Sequence, residues 1–385
     1  MNKLFRVSTV PEQLFVFCRG QLKMASKYFE VVAVSSPGDL LHKVGKRENV
    51  RVVGLHMRRH ISPVDDFVSL IRLIFLFCKE KPLIVHSLTP KAGLLSMVAA
   101  KITGVPIRMH TYTGLIFPTA NGLKQKLLIF TDRILCLCAN YINPEGMGVK
   151  NDLIDYAITK KPLHIIANGN IRGIDFNYYY LSDSVLHASA KYKMSSVYTF
   201  CFVGRIVRDK GINELVASFS RLLKTYNNIR LLLVGRLEQE LDPIYEKSLN
   251  FIKTNANVQM VGEQEDVRPF YAVSDALVFP SYREGFPNVV LEAGAMGLPA
   301  IVTNINGCNE IISDKVNGVI IPPKDNNALY NAMKFFVDNK DAVKVMGETA
   351  KKIVMQRYDY NIIQKELIGV YLKLSSDYAN NKKIL

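Results

Sequence analysis

Short apolar, β-branched runs recur along the chain at intervals long enough to hold a helix. The first five are "LFRVST" (4–9), "VVAVS" (31–35), "RVVGL" (51–55), "LIVHS" (83–87) and "PIRMH" (106–110), most of them separated by helical spacing. Strands alternating with helix-length segments predict parallel βαβ units in a doubly wound sheet. The pattern lapses over 171–196, where "RGIDFNYYYLSDSVLHASAKYKMSS" is polar and aromatic without a clear period. It restarts with "VYTFCFVG" (197–204), "IRLLLVG" (229–235), "NVQMVG" (257–262), "DALVFPS" (275–281), "PAIVTN" (299–304) and "GVIIPP" (318–323). A second doubly wound domain follows, so the two halves read as one architecture built twice. Residues 326–376 read as consecutive helices with no further strand. The predicted organisation is a first domain over 1–175, a linker over 176–196 and a second domain over 197–359, with a helix at about 360–385 packing back on the first.

Two helical segments are strongly apolar. "FVSLIRLIFLFCKEK" from Phe67 is cut by Arg72 and closed by Lys79-Glu80-Lys81, too short a run for a membrane span, and reads as a buried helix. "GLKQKLLIFTDRILCLC" from Gly122 sets Lys124, Lys126 and Arg133 among Leu, Ile and Phe, and fits either an interfacial helix or core packing with a basic edge.

At 385 residues the chain exceeds what one hydrophobic core usually organises, in keeping with two domains and a cleft between them. The formal net charge of +15 is unevenly spread: residues 1–170 hold 23 Lys+Arg against 11 Asp+Glu, and the remainder 26 against 23. A field so located suits an anionic surface, lipid headgroups or nucleic acid. "MNKLFRVSTV" runs into a proline and mixed polar residues rather than the apolar core of a signal peptide, so a cytosolic protein is expected. The six cysteines form no CxxC, the seven histidines no HExxH, and there is no D-x-D to hold a metal-bound diphosphate. Metal-independent chemistry without a cofactor is the expectation.

In open α/β sheets ligands bind outside the carboxyl ends of the strands. In "FVGRIVRDKGINEL" the strand ends at Gly204, Arg205 follows, and Lys210-Gly211 stands where the next helix should begin. Two cations near helix amides suit a diphosphate; a surface Arg/Lys pair is the alternative. "DALVFPS" has the same placement, with "YREGFPN" as its exit loop and Pro287 in the first turn of the next helix. Glu284 then lies on the loop and Glu292 inside the helix. Carboxylates accept hydrogen bonds, so beside a phosphate site they could hold sugar hydroxyls; a helix-surface acid and a dipole-stabilising acid are the plainer roles.

Taken together, "VGRIVRDKG" and "VGEQEDVRPFYAVSDALVFPSYREGFPNVVLEAGAMGLPAIVTNINGCNEII" closely resemble the donor-binding domain of family-4 retaining glycosyltransferases of the GT-B fold, with Glu284 and Glu292 as their E-x7-E motif. "VHSLTPKAGLLSMVAAKITGVPIRMHTYTG" and "IIANGNIRGID" are similar to segments of bacterial enzymes that build capsule or O-antigen chains. The resemblance implies two Rossmann-like domains facing a central cleft and a nucleotide-sugar donor, with UDP as the nucleotide, bound to the second domain. It assigns Arg205 and Lys210 to the diphosphate, Glu292 to the ribose and Glu284 to the transferred sugar. Gly262, Glu263 and Gln264 contact the base, and Gly285, Phe286, Pro287, Asn288 and Val289 face the sugar or diphosphate. The acceptor implied is a lipid-diphosphate-linked glycan, which would bring the basic first domain to the inner face of the plasma membrane.

The first domain departs from the family pattern. Where many relatives have a histidine before a glycine, "RMHTYTG" has Thr113, with His110 three residues earlier. His110 is either a contact for the donor sugar or leaving phosphate, or a satisfied strand-end histidine. Of the paired glycines often found after the first strand only Gly20 is present, with Arg19 beside it as a phosphate contact or helix surface; Lys91 in "TPKAG" meets an anionic acceptor or simply solvent. Two competing classes are a GT-B nucleotide-sugar 2-epimerase, which has no reason for E-x7-E beside the Arg/Lys pair, and a basic nucleic-acid-binding protein, for which there is no RNP-like motif or zinc finger.

Overall fold

The computed structural model describes residues 1–58, 60, 62–240 and 242–384, excepting the side chains of 381–384. The chain divides into two compact units, residues 1–173 with 360–385, and residues 174–359.

The first unit runs β1 (Lys3–Val7), α1 (Pro11–Phe17), α2 (Gln21–Ala25), β2 (Glu30–Ser35), α3 (Asp39–Glu48), β3 (Arg51–Gly54), α4 (Pro63–Glu80), β4 (Ile84–Leu88), α5 (Pro90–Ile102), β5 (Ile107–Tyr112), α6 (Gly122–Cys138), β6 (Tyr141–Pro144) and α7 (Met147–Asp155). Its six strands are all parallel, in the order β3-β2-β1-β4-β5-β6. The side chains of alternate residues on β1 enter two separate cores. Phe5 and Val7 join Leu73 and Phe77 of α4 and Ala92 of α5, while Leu4 joins Leu14, Leu22 and Leu41 of α1–α3. Both faces are therefore covered, as a parallel sheet requires.

The second unit continues with α8 (Asp183–Ala190), β7 (Tyr198–Val203), α9 (Ile212–Leu222), β8 (Ile229–Val234), α10 (Glu246–Thr254), β9 (Val258–Gly262), α11 (Arg268–Ala272), β10 (Ala276–Phe279), α12 (Asn288–Ala295), β11 (Ala300–Thr303), α13 (Cys308–Ile311), β12 (Gly318–Ile321), α14 (Asn326–Asp338) and α15 (Lys340–Tyr358). Its parallel sheet has the order β12-β11-β10-β7-β8-β9. Counted from the first strand of each unit, the two orders are the same, 3-2-1-4-5-6, so the architecture is repeated. Strands β7 and β8 are buried along their whole length, which accounts for the apolar runs Phe200–Val203 and Leu231–Val234 within them.

Two stretches differ from their sequence-based description. Residues 176–196 lie wholly in the second unit, where they carry α8 and bury Tyr179 and Val185 in the core. Strand β6, absent from the sequence reading, pairs with β5 in the register His110↔Ile142.

Helix α16 (Tyr360–Ile384) returns the chain to the first unit. There Leu367, Ile368 and Tyr371 join the core with α1–α3. A buried polar contact fixes it further: the Tyr371 hydroxyl accepts from Arg6 at 2.9 Å and lies 2.5 Å from Nδ1 of His86, and Arg6 also touches His86. Burial holds His86 well below the usual histidine range, so its ring stays neutral beside that guanidinium.

Candidate active site

In a sheet ordered 3-2-1-4-5-6, the loops leaving the first and fourth strands diverge and open a crevice at their carboxyl ends. In the second unit those strands are β7 and β10, and their loops carry Arg205, Lys210 and Glu284.

The loop after β7 leaves the sheet at Gly204, is anchored by buried Ile206 and Val207, and closes in a 3-10 turn, Arg208–Lys210. Gly211 ends that turn at φ +70°, where a Cβ would stand 2.1 Å from the carbonyl oxygen of Pro280. No other residue fits both conditions, and the close approach brings the β7 and β10 loops together. Three hydrogen bonds to Asp209 tie them: the Tyr282 amide donates to its carbonyl at 2.8 Å, the Ser281 hydroxyl to the same carbonyl at 3.4 Å, and Arg283 to its carboxylate at 3.1 Å. On the far side Gly307 packs against the "REGFP" loop, since a Cβ there would lie 2.5 Å from the Gly285 carbonyl.

Within this frame Lys210 Nζ donates to Glu284 Oε1, and the Ser281 hydroxyl donates to the same oxygen at 2.8 Å. Both charged side chains are mostly enclosed, at 16% exposure each. Arg205 is more open and pairs with Glu238 at 3.0 Å. Lys210 and Glu284 are thus brought together, while Arg205 has a separate carboxylate partner. Helix α12 begins at Asn288, with Pro287 at its N-cap rather than in its first turn. Glu292 lies inside this helix and is buried: its Oε1 accepts from the Tyr179 hydroxyl at 2.7 Å and its Oε2 from the Tyr271 hydroxyl at 3.3 Å. Beyond β9, Glu263 and Gln264 help line an open pocket of about 430 Å³ together with Lys191, Tyr192, Asp266 and Phe270. Gly262 ends β9 at φ +74°, and its carbonyl accepts from the Gly235 amide at 2.8 Å.

The first unit places its expected residues differently. His110 is 1% exposed, its Nδ1 lies 2.8 Å from the Ser87 hydroxyl, and its ring meets Tyr112 edge-on. Burial pushes it down to about 3, so it is neutral at ordinary pH. Gly93 makes room for it, since a Cβ there would stand 2.4 Å from the ring. This is the satisfied strand histidine of the two readings. Thr113, directly after β5, is half-buried. Lys91 is not a solvent-facing cation: it pairs with Asp66 at 2.7 Å and donates to the His60 carbonyl. The Gly20 amide donates to Glu48 Oε1 at 2.9 Å, while the neighbouring Arg19 is exposed.

Sequence reasoning did not anticipate Tyr179, Tyr271, Ser281, Asp209 or Glu238. Ser281 alone had a positional signal, as the residue at the end of the predicted strand. Among the described residues no group of three His, Cys, Asp or Glu side chains could hold a metal ion.

Two doubly wound sheets in tandem, with cations and carboxylates on the switch-point loops of the second, define the GT-B class. The crystal structure of Anabaena HepE in complex with UDP and glucose matches this fold at a TM-score of 0.80, with 16% identity, over 98% of this chain and 100% of that one. The description "Glycosyl transferases group 1" matches residues 189–353, and "Glycosyl transferase 4-like" matches residues 10–142. The capsular polysaccharide biosynthesis glycosyltransferase CapM of Staphylococcus aureus is 33% identical over 96% of this chain and 97% of its own. The Escherichia coli UDP-Gal:alpha-D-GlcNAc-diphosphoundecaprenol alpha-1,3-galactosyltransferase is 28% identical over 80% of this chain and 79% of its own. The chain belongs to the group 1, family-4-like glycosyltransferases. That membership selects the transferase over the epimerase and the nucleic-acid-binding readings.

Proposed function

We propose that the chain moves a hexose or N-acetylhexosamine from a UDP-linked donor to a lipid-diphosphate-linked glycan during assembly of a capsule or O-antigen type of polysaccharide. The observation that carries this reading is the contact of Lys210 and Ser281 with Glu284 on the switch-point loops of the second unit. The names of two relatives support it from another side, one acting in capsule synthesis and one on a diphosphoundecaprenol-linked sugar.

In this reading Lys210 and Arg205 bind the diphosphate, exchanging Glu284 and Glu238 for phosphate oxygens. Glu284, released from its ammonium, accepts from a hydroxyl of the transferred sugar. Glu292, oriented by its two tyrosine bonds, accepts from the ribose hydroxyls. Gly262, Glu263 and Gln264 border the base, and the backbone from Gly285 to Val289 faces the sugar and diphosphate. The bond from the sugar C1 to the diphosphate oxygen breaks, the acceptor oxygen bonds to C1 on the same face, and its proton passes to the departing phosphate. Configuration is retained, and Lys210 and Arg205 stabilise the charge that develops on the leaving group without a metal. His110 makes no contact in this scheme; Thr113, Lys91 and Arg19 remain as acceptor-side candidates.

No helix among the described residues is long and apolar enough to cross a membrane. The lipid-linked acceptor brings the protein to the inner face of the plasma membrane, where the positive first unit meets anionic headgroups. The test is a nucleotide-sugar panel, with and without a synthetic GlcNAc-diphospho-lipid and with and without EDTA. One UDP-sugar is expected to be slowly hydrolysed alone and transferred with retention when acceptor is present, unaffected by chelation. Conversion of the nucleotide sugar to an epimer without acceptor would overturn the reaction class. Loss of activity in EDTA, restored by manganese, would overturn metal independence.

A further inference from the structure

Helix α4 is apolar on two opposite faces. At about 100° per residue, Ser69, Leu73 and Phe77 point to one side and are buried, while Val64, Phe67, Val68, Ile71 and Phe75 form an outer stripe roughly 100° wide. That stripe is open to solvent, with Phe67 64% and Phe75 71% exposed. Helix α6 repeats the arrangement with Leu123, Leu127, Phe130 and Leu137, of which Leu123 is 84% exposed, and half-buried Ile134 lies in line with them. Both helices pack against α5, which lies between them and adds half-buried Leu94 and Val98 and exposed Ile102. The three helices thus carry one apolar surface on one side of the first sheet, of a size that isolated surface leucines do not make.

The unpaired charges that border it are of one sign. Arg72 and Lys79 border the α4 stripe, Lys101 closes α5, and Lys124 and Lys126 border the α6 stripe. Among the described residues none of these five takes part in an ion pair, whereas the acidic residues of α4 are neutralised within the protein: Asp65 by Arg58 at 2.9 Å, Asp66 by Lys91 at 2.7 Å and Glu80 by Lys3 at 2.7 Å. The one acidic residue of α6, Asp132, is buried. Unpaired cations bordering an apolar stripe match an anionic headgroup layer above an acyl boundary.

We infer that the outer faces of α4 and α6 insert side by side into the headgroup region of an anionic bilayer. This rests on the membrane contact proposed above and specifies its surface: Phe67, Phe75, Leu127 and Phe130 enter the apolar layer while Lys124, Lys126 and Arg72 meet lipid phosphate. The sequence reading of α4 as a buried helix holds for its inner face only.

The test is flotation of the full chain with phosphatidylcholine vesicles with and without phosphatidylglycerol, at low and at high salt. It compares wild type with a variant carrying Phe67→Ser, Phe75→Ser, Leu127→Ser and Phe130→Ser, and with Lys124→Glu/Lys126→Glu. Wild type is expected to float with phosphatidylglycerol vesicles and to keep part of that binding at high salt. The serine variant is expected to bind at least about tenfold more weakly while its donor hydrolysis is unchanged, and the glutamate variant to lose the preference for phosphatidylglycerol. Equal flotation of the serine variant would overturn this surface and leave membrane contact standing. Failure of wild type to float would overturn membrane contact itself. Complete release by salt would overturn insertion, and a wild-type dimer abolished by the serine substitutions would assign the stripes to self-association instead.

Discussion

Lys210 and Glu284 are held so that stability and catalysis respond to them differently. In Lys210→Met, the fold keeps the turn and Gly211, but Glu284 retains only the Ser281 hydroxyl at 2.8 Å as a neutral donor. Leaving a mostly enclosed carboxylate without its ammonium costs about 1–3 kcal/mol. In a unit of this size each kcal/mol lowers Tm by roughly 2–4 °C. Catalysis is expected to lose more, because a cation placed as proposed against the departing diphosphate would account for about 10² to 10³ in rate, or ~2.7–4 kcal/mol. The double variant Lys210→Met/Glu284→Gln separates the two effects: with both charges gone, Tm returns towards wild type while kcat/KM stays at or below that of Lys210→Met. Thermal unfolding and steady-state transfer on the four proteins of the cycle measure both quantities. Recovery of activity together with Tm in the double variant would make the pair a structural clamp. Turnover of Lys210→Met within tenfold of wild type would remove Lys210 from the diphosphate site.

The other predictions follow from neighbouring contacts. Arg205→Ala is expected to fold and lose transfer by orders of magnitude, whereas Glu238→Gln, which frees Arg205 from a partly exposed pair 3.0 Å long, is expected to lower KM for donor by up to about fivefold. Tyr179→Phe removes the 2.7 Å phenol hydrogen bond to Glu292 and is expected to raise donor KM about fivefold or more with a smaller change in kcat, read from initial rates at varied donor. Burial pushes Asp132 up to about 7, from an unfolded value near 3.8, so its stability contribution is complete below pH 4 and is lost as pH rises through 7. Asp132→Asn is therefore expected to gain Tm over wild type on going from pH 5 to pH 8. His110, pushed down to about 3, acts in the opposite sense, losing stability as pH falls below about 6.5, and is common to both proteins. A Tm difference that does not change with pH would show Asp132 to be ionised throughout.

The fold was legible because the inner parallel strands, such as β4, β7, β8 and β10, are buried on both faces and leave apolar runs too short for a helix. Strand β6 escaped for the opposite reason. It is four residues, "YINP", at the sheet edge, where Asn143 sends its side-chain amide to the Thr111 hydroxyl at 3.0 Å and Pro144 has no amide to give. Residues 176–196 read as a linker because their burial is piecemeal: Tyr179 and Val185 enter the core singly, without the period of a helix or strand face. For α4 the signal was present but ambiguous, since an apolar residue on the outer face looks the same in sequence as one on the inner face.

At the site, the loops were legible and the partnerships were not. Chain order alone puts Arg205, Lys210 and Glu284 after strands, but Lys210 meets Glu284 across 74 residues and Tyr179 meets Glu292 across 113, and no local pattern encodes such pairs. The eight-residue spacing of the two glutamates is explained by what each one does locally. Glu284 must lie on the loop to reach a cation delivered by the β7 turn, whereas Glu292 must lie within α12, where the hydroxyls of Tyr179 and Tyr271 fix its two oxygens. A carboxylate fixed at both oxygens cannot rotate, so in the proposed site Glu292 would offer a ribose one orientation. Glu284, held through one oxygen by Lys210 and Ser281, is the one of the two that the proposed mechanism requires to reorient, when its ammonium partner would move to phosphate.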